Sequence, residues 1–158
     1  METPLTTRTA LVPETPLGSG EAVIARFPAD PATYWRENAW LAVFAMAGGL
    51  GILWAVGNAH LWTGAVGGLF AIAVRALYLS SDETRMRWDL TDRRLLGPGT
   101  RAIALGTIAN VNTIFSAVQI VTVTGDKHLL KYQRDPGAVK GAITRAAGPD
   151  RGGMDSKT

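Results

Sequence analysis

A catalytic or metal site needs side chains that exchange protons, electrons or ligand bonds, and this chain holds few of them at useful spacings. Cysteine is absent, which removes disulfides, thiolate ligands and thiol nucleophiles together. The two histidines, His60 and His128, have no partner at the spacing of a ligand set, or of a base and the group that orients it. His60 reads as a solvated connector residue and His128 as one position of an alternating strand. No two carboxylates share an apolar setting that would hold one of them protonated. Ser80, Ser81 and Ser116 lack a neighbouring base, and Gly97-Pro98-Gly99 is not followed by the lysine and helix of a phosphate loop. The expectation is no catalytic residue, no metal, no cofactor and no small-molecule substrate.

The residues with chemical promise are arginines. Arg85, Arg87, Arg93 and Arg94 follow closely on an apolar run that contains Arg75. Guanidinium forks suit phosphates and carboxylates, so these five are candidate contacts to anionic lipid headgroups or to an acidic partner. The bland account is the cationic bias of cytoplasmic flanks. Charge is unevenly placed: residues 1–38 sum to −2, residues 80–158 to +4, and Arg75 supplies the rest of the net +3. Acids are interspersed with the bases and no aromatic stacking motif accompanies them, which argues against nucleic acid.

What must position these side chains is a membrane element. Residues 39–57 contain no charge, and 61–79 contain only Arg75. Each run is about as long as a helix needs to cross a hydrocarbon core of roughly 30 Å, and only a helix satisfies its own backbone there. The three-residue connector Asn58-Ala59-His60 makes them an antiparallel hairpin over 39–79. Gly48, Gly49, Gly64 and Gly68 are the expected close-approach positions, packing either within the hairpin or against another membrane protein. Trp35 and Trp40, with Tyr34, mark the headgroup level at the entry. The connector has no Lys or Arg while both outer flanks do, which places both termini in the cytoplasm of a multi-pass inner-membrane protein. Arg75, about one turn from the end of its run, is expected to snorkel.

Outside the hairpin the pattern changes. Residues 1–20 are rich in Thr, Pro and Glu and read as a flexible tail, and 21–38 as a short pre-membrane strand and interfacial segment. Over 80–147 the period becomes two: Met86, Trp88 and Leu90 alternate with Arg85, Arg87 and Asp89. Further strands are expected at 93–96, 101–108, 111–115, 118–124 and 127–133, with Gly125-Asp126 as a two-residue turn. Asp135-Pro136 then opens an amphipathic helix that Gly148-Pro149 ends. Residues 148–158 read as a disordered tail. The fold class is thus α+β: a two-helix transmembrane hairpin, then a small bent antiparallel sheet capped by a C-terminal helix.

The order of parts resembles the bacterial pleckstrin-homology-like family of small membrane proteins. The likeness rests on Gly20-Glu21-Ala-Val-Ile, Pro31-x-x-Tyr34, Trp88-Asp-Leu-Thr-Asp-Arg-Arg-Leu95, Ile103-Ala-Leu105 with Ile108, and Asp135-Pro136. It spans roughly residues 20–147. It implies a cytoplasmic domain that mediates protein interaction or assembly, and does not imply phosphoinositide binding. The expected role is a non-enzymatic accessory subunit or assembly factor bound to a larger membrane protein complex. The alternative is a module that binds membrane lipids through its basic face.

Overall fold

The computed structural model describes residues 11–148. Its elements are β1 (Val23–Pro28), α1 (Pro31–Ala55), α2 (Leu61–Glu83), β2 (Arg87–Thr91), β3 (Arg94–Leu96), β4 (Ala102–Ala104), a 3-10 turn (Leu105–Thr107), β5 (Ile108–Ile114), β6 (Ala117–Thr122), β7 (Lys127–Leu130) and α3 (Pro136–Ala147). They form two compact units, the hairpin of residues 30–84 and a sheet unit built from the chain on either side of it. Residues 1–10, half of the expected flexible tail, and 149–158, most of the expected disordered one, lie outside the described residues.

Both hairpin helices are long and apolar enough to cross a membrane. Only 11% and 6% of their most apolar windows are buried, so neither is the core helix of a soluble domain. Phe44, Ile52, Phe70 and Leu77 all present their side chains outward. Each helix is longer than its uncharged run. α1 begins at Pro31 rather than 39, because Asp30 caps it: the Asp30 carboxylate accepts from Thr33 N at 3.0 Å and Thr33 Oγ1 at 2.7 Å, and proline at the first position has no N–H to leave unpaired. α2 runs on to Glu83, so Arg75 lies two turns inside its end rather than one. The connector is held by Asn58 Oδ1 accepting from His60 N at 2.8 Å and by Thr63 Oγ1 donating to His60 O at 2.7 Å.

The sheet unit is not confined to 80–147. β1 pairs antiparallel with β2, Phe27 opposite Trp88 and Pro28 opposite Arg87, and the four-stranded sheet runs β1-β2-β3-β4. A second antiparallel sheet runs β5-β6-β7. The hairpin is therefore inserted between two paired strands.

The alternation read from the sequence supplies the core. Trp88, Leu90, Leu95, Ile103, Leu105, Ile108, Val111, Val118, Ile120 and Leu130 are buried together, with Val139 and Ile143 of α3 against them. Asp135 caps α3 by accepting from Ala138 N at 2.9 Å.

Three local expectations change. The strand placed at 101–108 stops at Ala104 and turns through a 3-10 turn, with Thr107 Oγ1 donating to Ala104 O at 2.7 Å. The two-residue turn at Gly125-Asp126 is a four-residue loop, 123–126, in which Asp126 N donates to Thr122 Oγ1 at 3.1 Å and Thr124 Oγ1 to Asp126 Oδ2 at 2.7 Å. Residues 11–20 are docked rather than free: Arg87 N donates to Leu11 O, and Glu14 N and Gly99 O pair at 2.8 Å.

Candidate functional site

Three groups of side chains carry the functional candidates. The first is the seam between α1 and α2. A Cβ on Gly49 would fall inside the Gly64 carbonyl, one on Gly64 inside the Gly49 carbonyl, and one on Gly68 would stand 2.5 Å from Ala45 O. The two backbones touch, as small residues permit in a medium where apolar side chains gain nothing from avoiding solvent. Gly49, Gly64 and Gly68 are thus committed to packing within the hairpin. Gly48 is not in this seam; nothing lies within 4 Å of its missing Cβ, and the same holds for Gly51 and Gly67.

A polar cluster closes the seam toward the outer ends. Tyr34 Oη donates to Ala76 O at 2.7 Å, Asn38 Nδ2 donates to Tyr34 O at 2.9 Å, and Arg75 Nη1 reaches Asn38 Oδ1 at 3.4 Å. Tyr34 is fully buried, so it bolts the helices together instead of facing outward, and Trp35 meets it edge-on at 5.4 Å. Trp35 and Trp40 are exposed, and so are Trp54 and Trp62 beside the connector. From Trp35 to Trp54 an α-helix rises about 28 Å, close to a hydrocarbon thickness. That spacing matches the separation of two membrane boundaries, the level that amphipathic rings favour. Trp54 and Trp62 were readable by the same rule, from their place at the ends of the apolar runs.

The second group is the arginines, and the structure does not gather them into one face. Arg94 is an internal anchor. Its Nε donates to Glu21 Oε1 at 2.9 Å, one Nη to Glu21 Oε2 at 2.8 Å, and that Nη also to Pro16 O at 2.9 Å. Glu21, nearly inaccessible, accepts further from Gly18 N at 2.7 Å and Thr91 Oγ1 at 2.7 Å. These bonds, Arg94's first, hold its carboxyl at about 2 instead of 4.5, and Glu21 in turn pushes Arg94 up. Arg87 Nη2 donates to Asp89 Oδ2 at 3.1 Å, with Nε 2.9 Å from Oδ1 in ion-pair contact outside hydrogen-bond geometry. Arg93 stands 3.9 Å from Asp92 on the open surface. Arg85 is exposed. Arg85 and Arg87 sit at the start of β2, Arg93 and Arg94 beyond its far end, five strand residues or about 17 Å away.

The third group lies along the second sheet. Among the described residues β5 is an edge strand, paired only with β6. Between its first half and α3 runs a cleft of about 220 Å³ lined by Ala109, Asn110, Val111, Lys140 and Thr144 among others. At its other end, Phe115 is 94% exposed and holds φ +53°. A wider cleft lies beside His128 and Arg101, where His128 packs edge-on to Trp88 at 6.4 Å. His60 is exposed in the connector. Among the described residues no three His, Asp or Glu side chains are placed to hold a metal ion.

Comparison with known protein families, curated proteins and solved structures finds no match to this chain.

Proposed function

We propose that this chain is a non-enzymatic integral membrane protein, an accessory subunit or assembly factor that holds a PH-like domain beside a larger membrane complex. The observation that carries the reading is the joining of the two units. A hairpin with an outward apolar surface is inserted between paired strands of one sheet, so a membrane anchor and a folded module are a single construction. Antiparallel sheets followed by a terminal helix support the PH-like reading, for which the resemblance implies a bent antiparallel sheet capped by a helix. The tryptophans at both ends of the hairpin and the Lys- and Arg-free connector support two spans with both termini in the cytoplasm of a bacterial inner membrane.

The alternative, a module binding anionic headgroups through a basic face, has less to stand on. Arg87, Arg93 and Arg94 already have carboxylate neighbours, Arg75 reaches Asn38, and the four candidate arginines outside the hairpin are split between two ends of β2. A phosphate binding at Arg94 would have to displace a bidentate carboxylate.

The test is gentle detergent extraction of the full chain from its own membranes, native separation, and mass spectrometry of what co-migrates. A larger complex at constant ratio supports the proposal. Migration alone, with binding to anionic vesicles that salt abolishes, favours the lipid-binding reading.

A further inference from the structure

The geometry points to the free edge of β5 as the place where the partner is held: an extended, acidic segment of a partner protein adds to the second sheet as a new strand beside β5. This inference rests on the accessory-subunit reading and names the surface that it leaves open.

Four observations converge on that edge. β5 is the longest strand of the sheet unit, seven residues or about 23 Å, and among the described residues its outer side has no strand partner. An unpaired edge of that length is a template for another chain. The ladder with β6 is closed by the two-residue turn Phe115-Ser116, Ile114 facing Ala117. The alternation of an antiparallel pair then turns the N–H and C=O of Val111 and Thr113 outward. Along the first half of the edge the cleft under α3 gives an incoming side chain somewhere to go, with Asn110, Lys140 and Thr144 at its walls. The bulge between Ile108 and Asn110 opens that end of the strand.

The fourth observation lies at the far end. Phe115 occupies a left-handed backbone conformation that glycine or asparagine would adopt without cost, and presents a nearly naked ring beside the half-exposed Ile114. The strained backbone lowers the stability of the isolated chain, and the exposed ring returns nothing for it by burial. A partner segment running the length of β5 would end on that ring.

Charge decides the occupant. β5 has no charged residue, and α3 carries Lys140 and Arg145 with no carboxylate. An acidic side chain at the cleft end therefore meets Lys140, the one charged side chain among the described residues that line it, while a basic one finds repulsion.

The experiment uses the full chain in its native membranes. A photoreactive benzoylphenylalanine replaces Asn112, Thr113 or, as a control on the opposite edge of the same sheet, Leu129. The expected result is that positions 112 and 113 cross-link to neighbouring residues of one extended, acid-containing segment of a partner protein, and position 129 does not. Thr113→Pro removes an outward N–H without touching the β6 ladder, and Lys140→Glu reverses the charge; each should lower adduct yield at least tenfold. Phe115→Gly separates docking from folding, because it should raise the melting temperature while lowering the same yield. A merely structural phenylalanine would lower both.

Adducts to lipid, to a second copy of this chain or to its own residues 149–158 overturn the inference, as does a yield that Thr113→Pro leaves unchanged. If the protein co-migrates with a complex and β5 stays unlinked, this inference falls and the accessory reading stands. If no complex is found, both fall.

Discussion

Adjacent glycines in α1 should respond to the same substitution with opposite signs. At Gly68 an added Cβ would meet Ala45 O at 2.5 Å and its carbonyl carbon at 2.6 Å, where ordinary contact begins at 3.4 Å. Both atoms are backbone, so no side chain can swing aside, and the helices must part by about 1 Å. Overpacking of that size costs about 1–3 kcal/mol. Gly49 and Gly64 are as tightly placed against each other. Gly48 has nothing within 4 Å, so Gly48→Ala removes only the conformational freedom of glycine and should gain about 0.5–1 kcal/mol. The chain has no cysteine, so a donor and an acceptor dye can be attached at Arg36→Cys and Tyr78→Cys, exposed positions near the outer ends of the two helices. Loss of energy transfer during titration from mild detergent into dodecyl sulfate reports opening of the hairpin. Gly49→Ala, Gly64→Ala and Gly68→Ala should open early, Gly48→Ala no earlier than the parent. If Gly48→Ala opens the hairpin as readily as Gly49→Ala, the seam is assigned to the wrong face.

Further consequences follow from single contacts. Glu21 ionises well below its ordinary value in the fold, so the stabilisation it brings is complete above pH 4.5 and is lost as pH falls toward about 2; Glu21→Gln should flatten the pH dependence of chemical unfolding in that window and leave it unchanged above. Gly97→Ala would set a methyl 2.6 Å from the Trp88 ring, and should cost about 1–3 kcal/mol with altered near-ultraviolet circular dichroism from the displaced indole. Tyr34→Phe deletes the hydroxyl that donates to Ala76 O at 2.7 Å, and should weaken hairpin closure in the same energy-transfer assay by about 0.5–1.5 kcal/mol.

What was legible in the sequence is what period and composition encode. Alternation put Trp88, Leu90, Ile103 and Leu105 on one side, and they form the core. The Asp135-Pro136 pair announced α3 to the residue. The same pair at Asp30-Pro31 starts α1, but Pro28 beside it makes the stretch read as a break, so the uncharged run alone sets the expected start at 39, eight residues late. The pairing of β1 with β2 was not legible, because the strands are separated by the whole hairpin and nothing in either names its partner. For the same reason the arginines looked equivalent: Arg94 differs from Arg93 only through Glu21, 73 positions away. The turn at Phe115 carries no glycine or asparagine, so no local signal marks it; its strain becomes visible only in the folded backbone. Of the glycines, Gly64 and Gly68 read from their spacing of four as a close-approach face and both abut the α1 backbone, while Gly48 and Gly49 can be told apart only by seeing which one meets α2.

The account depends most directly on the two helices crossing a membrane with the sheet unit on one side. Single cysteines at Asn58 and Thr124, placed one at a time in the cysteine-free chain, can be probed with a membrane-impermeant maleimide on intact cells and again after lysis. Labelling of Asn58→Cys on intact cells, with Thr124→Cys protected until lysis, is the expected pattern. Protection of both on intact cells, or equal labelling of both, would contradict it.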